Sequence, residues 1–255
     1  MTPVATPVIT SGLLAAIPGL VHGHSTRDDG SLGRDAAQAR DRFLTRLGAP
    51  ATAIVVPHQV HQAHVHVCAR EDAGRGRGDR PAVPTCDGLI SVTPGPVLFA
   101  QGADCPLLLI APRHGGAVAV VHSGWRGTVA RIGRTAVRGL AARGHAPESL
   151  CVAVFPGIGP CCFEVGPEVT DAFEREFGPR ASAWSASGGT DSQQGADRRL
   201  LDLSSALRAT FLDEGLAADA VDVVPGCTAC GTRFWSHRAS AGRPERHGLV
   251  AYLTA

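Results

Sequence analysis

Three short motifs in the sequence offer nitrogen and sulfur donors beside turns. The donors are His61 in HQVH, Cys105 in ADCP and His122 in HSGWRG. Two imidazoles and one thiolate suit zinc, and they leave a fourth tetrahedral position open for water or substrate, as in catalytic zinc sites. Zinc held in this way acidifies its bound water enough to supply hydroxide near neutral pH. The residue types therefore favour a catalytic metal site made of these three side chains.

The spacing of the three residues is compatible with a second interpretation. They lie 44 and 17 positions apart (61 to 105, then 105 to 122), which is looser than the patterns of structural zinc fingers. In the alternative, both histidines are hydrogen-bonded residues at strand ends, and Cys105 is an inert core thiol ahead of an apolar run. Spacing alone leaves both interpretations open.

Apolar runs separated by turn residues indicate the strands that must position these motifs. Helical spacing of apolar residues indicates the helices, and His122 would end a strand just before one of them begins. Two polar segments are expected to be loops: Arg70–Pro84, exposed, and Ser182–Asp197, a Ser-, Gly- and Asp-rich insert. The predicted strands are Ala51–Val56, Ala63–Cys68, Gly88–Val92, Val97–Gln101, Pro106–Ala111, Ala117–His122, Leu150–Phe155, Val221–Val224 and Leu249–Leu253, and the predicted helices are Gly127–Arg143, Pro167–Phe177 and Leu203–Glu214.

Composition limits the classes of partner. The chain has 255 residues, 44% of them hydrophobic, which is enough for a sizeable core and near the upper limit for one domain, so a single domain over 1–255 is expected. Lys plus Arg number 24 and Asp plus Glu 23, and all of the basic residues are Arg. A net charge of +1 creates no broad field for nucleic acid or an acidic membrane, so neither is expected as a partner.

The same reasoning gives an expected location. The N-terminal stretch lacks a positively charged start, and no apolar run reaches the roughly 18 residues of a membrane span. The eight cysteines do not resemble the dense framework of a small secreted domain. We therefore expect a cytoplasmic protein.

Five motifs in a fixed order carry a family resemblance. HQVH, GADCPLLL, HSGWRG, GIGPCCFEVG and CTACGTRFWSHR follow one another between about His24 and the C-terminus. This ordered set resembles the YfiH-type family, also called the laccase-domain or multicopper polyphenol oxidase family. The resemblance implies an α/β fold: one compact domain whose mixed β-sheets are sandwiched by helices in an α-β-β-α order.

The resemblance also implies an activity. Members are understood as purine nucleoside phosphorylases with accompanying adenosine deaminase and methylthioadenosine phosphorylase activity, so purine nucleosides and phosphate are the expected partners. The family's metal ligands fall on His61, Cys105 and His122, which are then also the expected catalytic residues. Zinc is the expected ion, with copper as an alternative, and a monomer or small homo-oligomer is expected.

Three further residues are candidates for substrate binding. Arg27 in Ser-Thr-Arg resembles a family motif associated with phosphate, although the glycine-rich stretches that usually follow are shortened here to DDGSLG. Arg126, in a Gly-bounded turn where a helix begins, is either the alternative anion holder or a helix-start arginine that faces water. Gln59 has an amide suited either to a purine edge or metal-bound water, or to loop backbone.

Two acidic residues lie beside the motifs. Asp87, followed by Gly88, is typical of a turn, with a role as acid or base as the alternative. Asp104 precedes Cys105 and is suited either to orienting a ligand histidine or to capping a strand end.

Two pairs of cysteines lie outside the three motifs. Cys227 and Cys230 form a Cys-x-x-Cys, but no second such pair exists to complete a four-thiolate site, so a packing role is predicted. Cys161 and Cys162 are expected in a tight turn that shapes the pocket.

Three rival functions remain. A multicopper oxidase needs about ten histidines in repeated His-x-His pairs such as His64-Val65-His66, and the supply here does not support it, although one copper on the three-ligand site would allow weak oxidase activity. A non-enzymatic binding factor with a structural zinc ion is the second. The third is editing of a cell-wall precursor, with Cys105 as nucleophile and His122 as base.

Overall fold

The computed structural model describes residues 8–187 and 198–254. Its helices are α1 Gly12–Ala15, α2 Ala37–Arg46, α3 Trp125–Val129, α4 Ile132–Ala141, α5 Pro167–Phe177 and α6 Leu203–Asp213. Its strands are β1 Leu20–His24, β2 Ile54–Val55, β3 Val65–Cys68, β4 Gly88–Ser91, β5 Val97–Gly102, β6 Leu107–Pro112, β7 Val118–His122, β8 Leu150–Val154, β9 Glu164–Val165, β10 Ser185–Ser187, β11 Arg199–Leu201, β12 Val221–Val223 and β13 His247–Leu253. None of the described helices has the length and apolar character needed to cross a lipid bilayer.

Two mixed sheets form the centre of the fold. The larger has the strand order β12-β8-β6-β7-β4-β3, and the smaller has the order β1-β13-β5-β2. A third sheet of short strands, β10-β11-β9, lies beside α5. The predicted mixed β-sheets are therefore confirmed.

Alternate residues of β6 show how the layers are stacked. Leu107 and Leu109 face the smaller sheet, where they join Leu98 in one core. Leu108 and Ile110 face the opposite way and pack in the core beneath α4 and α6. This two-residue alternation is the natural period of a strand, and burying each such side chain contributes about 1.5–3 kcal/mol.

A fourth layer completes the sandwich. Phe43 and Leu44 of α2 pack on the outer face of the smaller sheet, against Phe99 of β5 and Val250 of β13. The order helix, sheet, sheet, helix is the α-β-β-α arrangement that the resemblance implied.

Some predicted elements differ from the structure. The helix expected over Gly127–Arg143 is two helices, α3 and α4, because Arg131 takes a left-handed conformation with φ of 60° between them. The segment Arg70–Pro84 is not simply an exposed loop: Val83 is buried, and Asp72 receives hydrogen bonds from His66 and Arg75.

Other elements were not predicted, or lie only partly in the structure. The apolar pattern gave no indication of β1 or α2. Of the insert predicted over 182–197, residues 182–187 form the end of a 3-10 helix and strand β10, and the remainder lies outside the described residues.

Candidate metal centre

The three motifs meet because of strand direction. β7 runs antiparallel to both β4 and β6, and β3 runs parallel to β4. The end of β7 therefore lies at the same sheet edge as the starts of β3, β4 and β6. His122 ends β7, Cys105 precedes β6 by two residues, and His61 lies four residues before β3.

His122 is fixed in the wall of the site by Asp87. The His122 side chain is 3% exposed, and its Nδ1 donates to Asp87 Oδ1 at 2.9 Å. The backbone holds the same pair together, since His122 N donates to the Asp87 carbonyl at 2.7 Å. The remaining ring nitrogen, Nε2, is the atom that could bind a metal ion, because metal-binding histidines usually donate their other ring N–H to a carboxylate.

Asp87 also shapes the loop that carries His61. Its carboxylate accepts the backbone N–H groups of Val60, His61 and Gln62 at 3.1, 2.9 and 2.9 Å. His61 has a φ of 60°, a left-handed conformation that costs a non-glycine residue about 1–3 kcal/mol. The three hydrogen bonds from backbone N–H groups to one buried carboxylate hold the loop in this conformation.

Charge complementarity explains how Asp87 stays ionised although it is fully buried. Burial raises its pKa, but hydrogen bonds from His122 and from the amides of Gln62 and Val60 outweigh that effect and lower the pKa below its usual value.

Gly124 makes room for the sulfur of Cys105. A Cβ at this position would lie 2.7 Å from Cys105 Sγ and 3.3 Å from His61 Cδ2. The backbone of Gly124 has a φ of −71°, which any residue can adopt, so the requirement for glycine is one of space. The HSGWRG motif therefore supplies both a candidate ligand, His122, and the gap beside a second candidate, Cys105.

Cys105 and His122 alter each other's acidity. Burial raises the pKa of the thiol and lowers that of the imidazole, but the attraction between thiolate and imidazolium outweighs it. The pKa of Cys105 falls to about 6, and that of His122 rises to about 9, helped by the hydrogen bond to Asp87. A thiolate is the form that binds metals, and the proton on His122 is the one that a metal ion would displace.

The donor set fits a zinc ion. The ligand atoms of His61, Cys105 and His122 all lie within 4.8 Å of one another, and the two imidazole rings are nearly perpendicular, at 85°. Two nitrogens and one thiolate match the ligands of catalytic zinc, and one side of the cluster faces a cavity.

That cavity has a volume of about 420 Å³, within the range of small-molecule sites. Sequence reasoning missed two cationic residues in its wall, Arg238 and Arg246. Their guanidinium groups donate only to backbone carbonyls, and neither belongs to an ion pair among the described residues. The lining residues are Gln59, His61, Gln101, Gly102, Ala103, Asp104, Cys105, His122, Ile158, Phe163, His237, Arg238 and Arg246.

The three predicted substrate-binding residues lie in different places. Gln59 lines the cavity, but its amide is paired with the backbone of Gln101 in both directions, at 2.8 and 2.9 Å, as in the loop-backbone alternative. Arg27 donates to the Phe234 carbonyl, and Arg126 is exposed and lies over the ring of Trp125. Neither arginine is among the cavity-lining residues.

The orienting carboxylate is not the one that adjacency suggested. Asp104 accepts from Thr228 Oγ1 at 2.6 Å and from the backbone N–H of Arg238 at 2.7 Å, and among the described residues its carboxylate has no hydrogen bond to His61 or His122. Asp87, for which a turn was the favoured interpretation, holds both histidine motifs instead. Asp87 lies directly before β4, and this position brings it beside His122 because β4 pairs with β7. The sequence could have indicated this role only if the strand order had been known.

Comparisons with known proteins agree on one family. The family model described as multi-copper polyphenol oxidoreductase laccase matches residues 21–253. The purine nucleoside phosphorylase YlmD of Geobacillus stearothermophilus is 33% identical over 224 residues, covering 86% of this chain and 78% of that protein. The adenosine deaminase RL5 of an unknown prokaryotic organism is 29% identical over 212 residues, covering 81% and 79%. The crystal structure of YlmD from Geobacillus stearothermophilus superposes with a TM-score of 0.81 at 27% identity, covering 94% of each chain.

Proposed function

Because this chain belongs to the multi-copper polyphenol oxidoreductase laccase family, we propose that it is a zinc-dependent purine nucleoside phosphorylase that also deaminates adenosine. The names of its relatives, purine nucleoside phosphorylase and adenosine deaminase, support both activities. Adenosine, inosine, guanosine and methylthioadenosine are the proposed nucleosides, with phosphate as the second substrate.

The observation that carries the proposal is an incomplete ligand set open to a cavity. His61, Cys105 and His122 would hold the ion, and the 420 Å³ cavity beside them leaves one coordination position for a small molecule. A structural zinc site is normally closed by a fourth protein ligand. When bound, the ion would polarise a substrate atom and acidify a water molecule.

The chain's own residues suit the binding of phosphate and a purine ring. Arg238 and Arg246 bring positive charge to the cavity, and guanidinium groups make paired hydrogen bonds to phosphate oxygens. Phe163 and His237 lie in the same wall and offer ring surfaces against which a purine can stack. The roles of Arg27 and Arg126 in anion binding stay predictions, as do a single domain over 1–255 and a cytoplasmic location.

The number of histidines that lie together argues against multicopper oxidase chemistry. Such an enzyme holds a copper cluster and a separate blue copper with many histidines. Within residues 8–187 and 198–254, no group of candidate ligands contains more than two histidines. Capture of one copper ion by His61, Cys105 and His122 remains compatible with the site.

The test compares the wild type with Cys105→Ala, using Cys151→Ala as the control because Cys151 is a buried core thiol away from the cavity. Zinc is counted by mass spectrometry, and adenosine with phosphate is followed chromatographically. Loss of one zinc ion per chain together with loss of ribose 1-phosphate and inosine formation, in Cys105→Ala alone, supports the proposal.

Two other results would contradict it. Turnover that survives chelation but is blocked by alkylation of Cys105 would identify the thiol as a nucleophile, as in the editing alternative. Zinc binding at this site without turnover of any nucleoside would favour the binding-factor alternative.

A further inference from the structure

Four cysteine side chains meet outside the cavity, on two loops that are distant in sequence. Cys161 and Cys162 lie between β8 and β9, and Cys227 and Cys230 follow β12. Their sulfur atoms all lie within 4.8 Å of one another, and all four are free thiols. Cys227 packs against a core cluster, in line with the predicted packing role, and the adjacent pair Cys161-Cys162 adds the two further sulfurs that a second Cys-x-x-Cys would have supplied.

The sulfur spacing is that of a tetrahedral metal site. Zinc–thiolate bonds are about 2.3 Å long, so sulfurs at the corners of a tetrahedron are about 3.8 Å apart. Cys161 Sγ and Cys230 Sγ are 3.6 Å apart, and the upper limit of 4.8 Å leaves only a small contraction for the other pairs.

The backbone around Cys227 is arranged for a thiolate. The N–H of Gly159 donates to Cys227 Sγ at 3.2 Å. A Cβ on Gly159 would lie only 3.2 Å from Cys227 Cβ and 3.4 Å from Cys161 Sγ, so the glycine permits this approach.

A cation is needed for all four groups to ionise. The four sulfur atoms lie within 4.8 Å of one another. Four thiolates this close repel one another, and a bound metal ion removes that penalty by deprotonating its ligands.

We propose that Cys161, Cys162, Cys227 and Cys230 bind a structural zinc ion, distinct from the ion held by His61, Cys105 and His122. Four protein ligands close the coordination sphere, so this second ion has no position for substrate. Soft thiolate ligands select zinc over the harder divalent cations.

The second ion fastens two parts of the cavity wall. One loop supplies Ile158 and Phe163 to the cavity, and the other supplies His237 and Arg238. The two loops also meet through their backbones, since Thr228 N donates to the Gly157 carbonyl at 3.0 Å. A metal bridge at the cluster therefore holds both loops in register beside the nucleoside site.

The test counts metal in three variants of the full chain, purified under reducing conditions in zinc-containing medium. We expect two zinc ions per chain in the wild type and in Cys151→Ala. One ion should be lost in Cys105→Ala, and the other in the double variant Cys161→Ser with Cys230→Ser, whose two positions are exposed.

X-ray absorption at the zinc edge of Cys105→Ala identifies the ligands of the remaining ion without relying on the cluster variant's ability to fold. Four sulfurs at about 2.3 Å and no imidazole scattering are expected. Three results would overturn the second site. One is imidazole scattering from the ion that remains in Cys105→Ala, and another is a wild type whose single zinc ion is lost in Cys105→Ala. The third is a disulfide among the four cysteines in the purified chain. If zinc is lost only in the Cys161→Ser, Cys230→Ser variant, the four-cysteine site stands, and zinc binding by His61, Cys105 and His122 is refuted.

Discussion

Replacing Asp87 with Asn should weaken metal binding at the candidate centre and lower the stability of the whole chain. The buried carboxylate receives four hydrogen bonds: His122 and His61 donate to Oδ1, and Val60 and Gln62 donate to Oδ2. Asn has one carbonyl oxygen and one NH₂ group, so only one of these two pairs of donors keeps an acceptor.

The magnitude follows from the count of lost bonds. If the Asn oxygen stays with His61 and His122, the amides of Val60 and Gln62 both face an NH₂ donor. Hydrogen bonds to charged groups are worth about 1.5–3 kcal/mol each, so the free energy of unfolding should fall by about 3–6 kcal/mol. Loss of a partner that orients a ligand histidine should also weaken zinc binding about 10- to 100-fold.

Urea unfolding of the metal-free protein measures the first effect, and competition with a chelator of known affinity measures the second. Asp104→Asn is the matched control, because Asp104 is adjacent to Cys105 but bonds to Thr228 and Arg238 instead. We expect its zinc affinity to change less than about threefold, since no ligand loses a partner. Wild-type zinc affinity in Asp87→Asn, or an equal loss in both variants, would refute the assignment of Asp87 as the orienting carboxylate.

Three other perturbations test separate parts of the structure. Burial lowers the pKa of His24 to about 3, so below pH 6.5 only the unfolded chain gains a proton there. His24 should therefore lower the free energy of unfolding by about 2 kcal/mol between pH 7.5 and 5. His24→Phe should remove this part of the pH dependence, as measured by urea unfolding at each pH. The same dependence of unfolding free energy on pH in both proteins would contradict the assignment. Gly124→Ala places a Cβ 2.7 Å from Cys105 Sγ, and chelator competition should show zinc affinity reduced at least about tenfold, whereas unchanged affinity would mean that the sulfur can move aside. Arg246→Ala should raise the KM for phosphate at least about tenfold in steady-state assays. A larger rise in Arg126→Ala would indicate instead that phosphate binds at Arg126, where helix α3 begins.

The sequence predicted which donor side chains converge better than it predicted the residue that holds them in place. Donor chemistry and motif order both selected His61, Cys105 and His122, because a ligand must be a particular residue type beside a turn. Asp87 could not be recognised in this way, since Asp before Gly has the same local pattern in an ordinary turn. Its role depends on β4 lying between β3 and β7, and strand order is a property of the whole sheet.

The same limit applies to the cysteines and to the N-terminal part of the fold. A Cys-x-x-Cys is visible in the sequence, but an adjacent pair such as Cys161-Cys162 becomes a partner for it only when two loops meet. Strand β1 escaped notice because its sequence, LVHGH, contains polar residues that the core nevertheless buries, among them His22 and His24. Tertiary packing overrode local propensity there.

Strain and support at the candidate metal centre are connected through one residue. His61 lies in a left-handed conformation, and the residue before Cys105, Asp104, has a φ of 90°. Each such residue costs about 1–3 kcal/mol and persists only when its surroundings fix it. The Asp87 carboxylate accepts hydrogen bonds from three backbone amides of the His61 loop and a fourth from the imidazole Nδ1 of His122. Because the same carboxylate offsets the strain at His61 and positions two candidate ligands, metal affinity and fold stability at this sheet edge should change together.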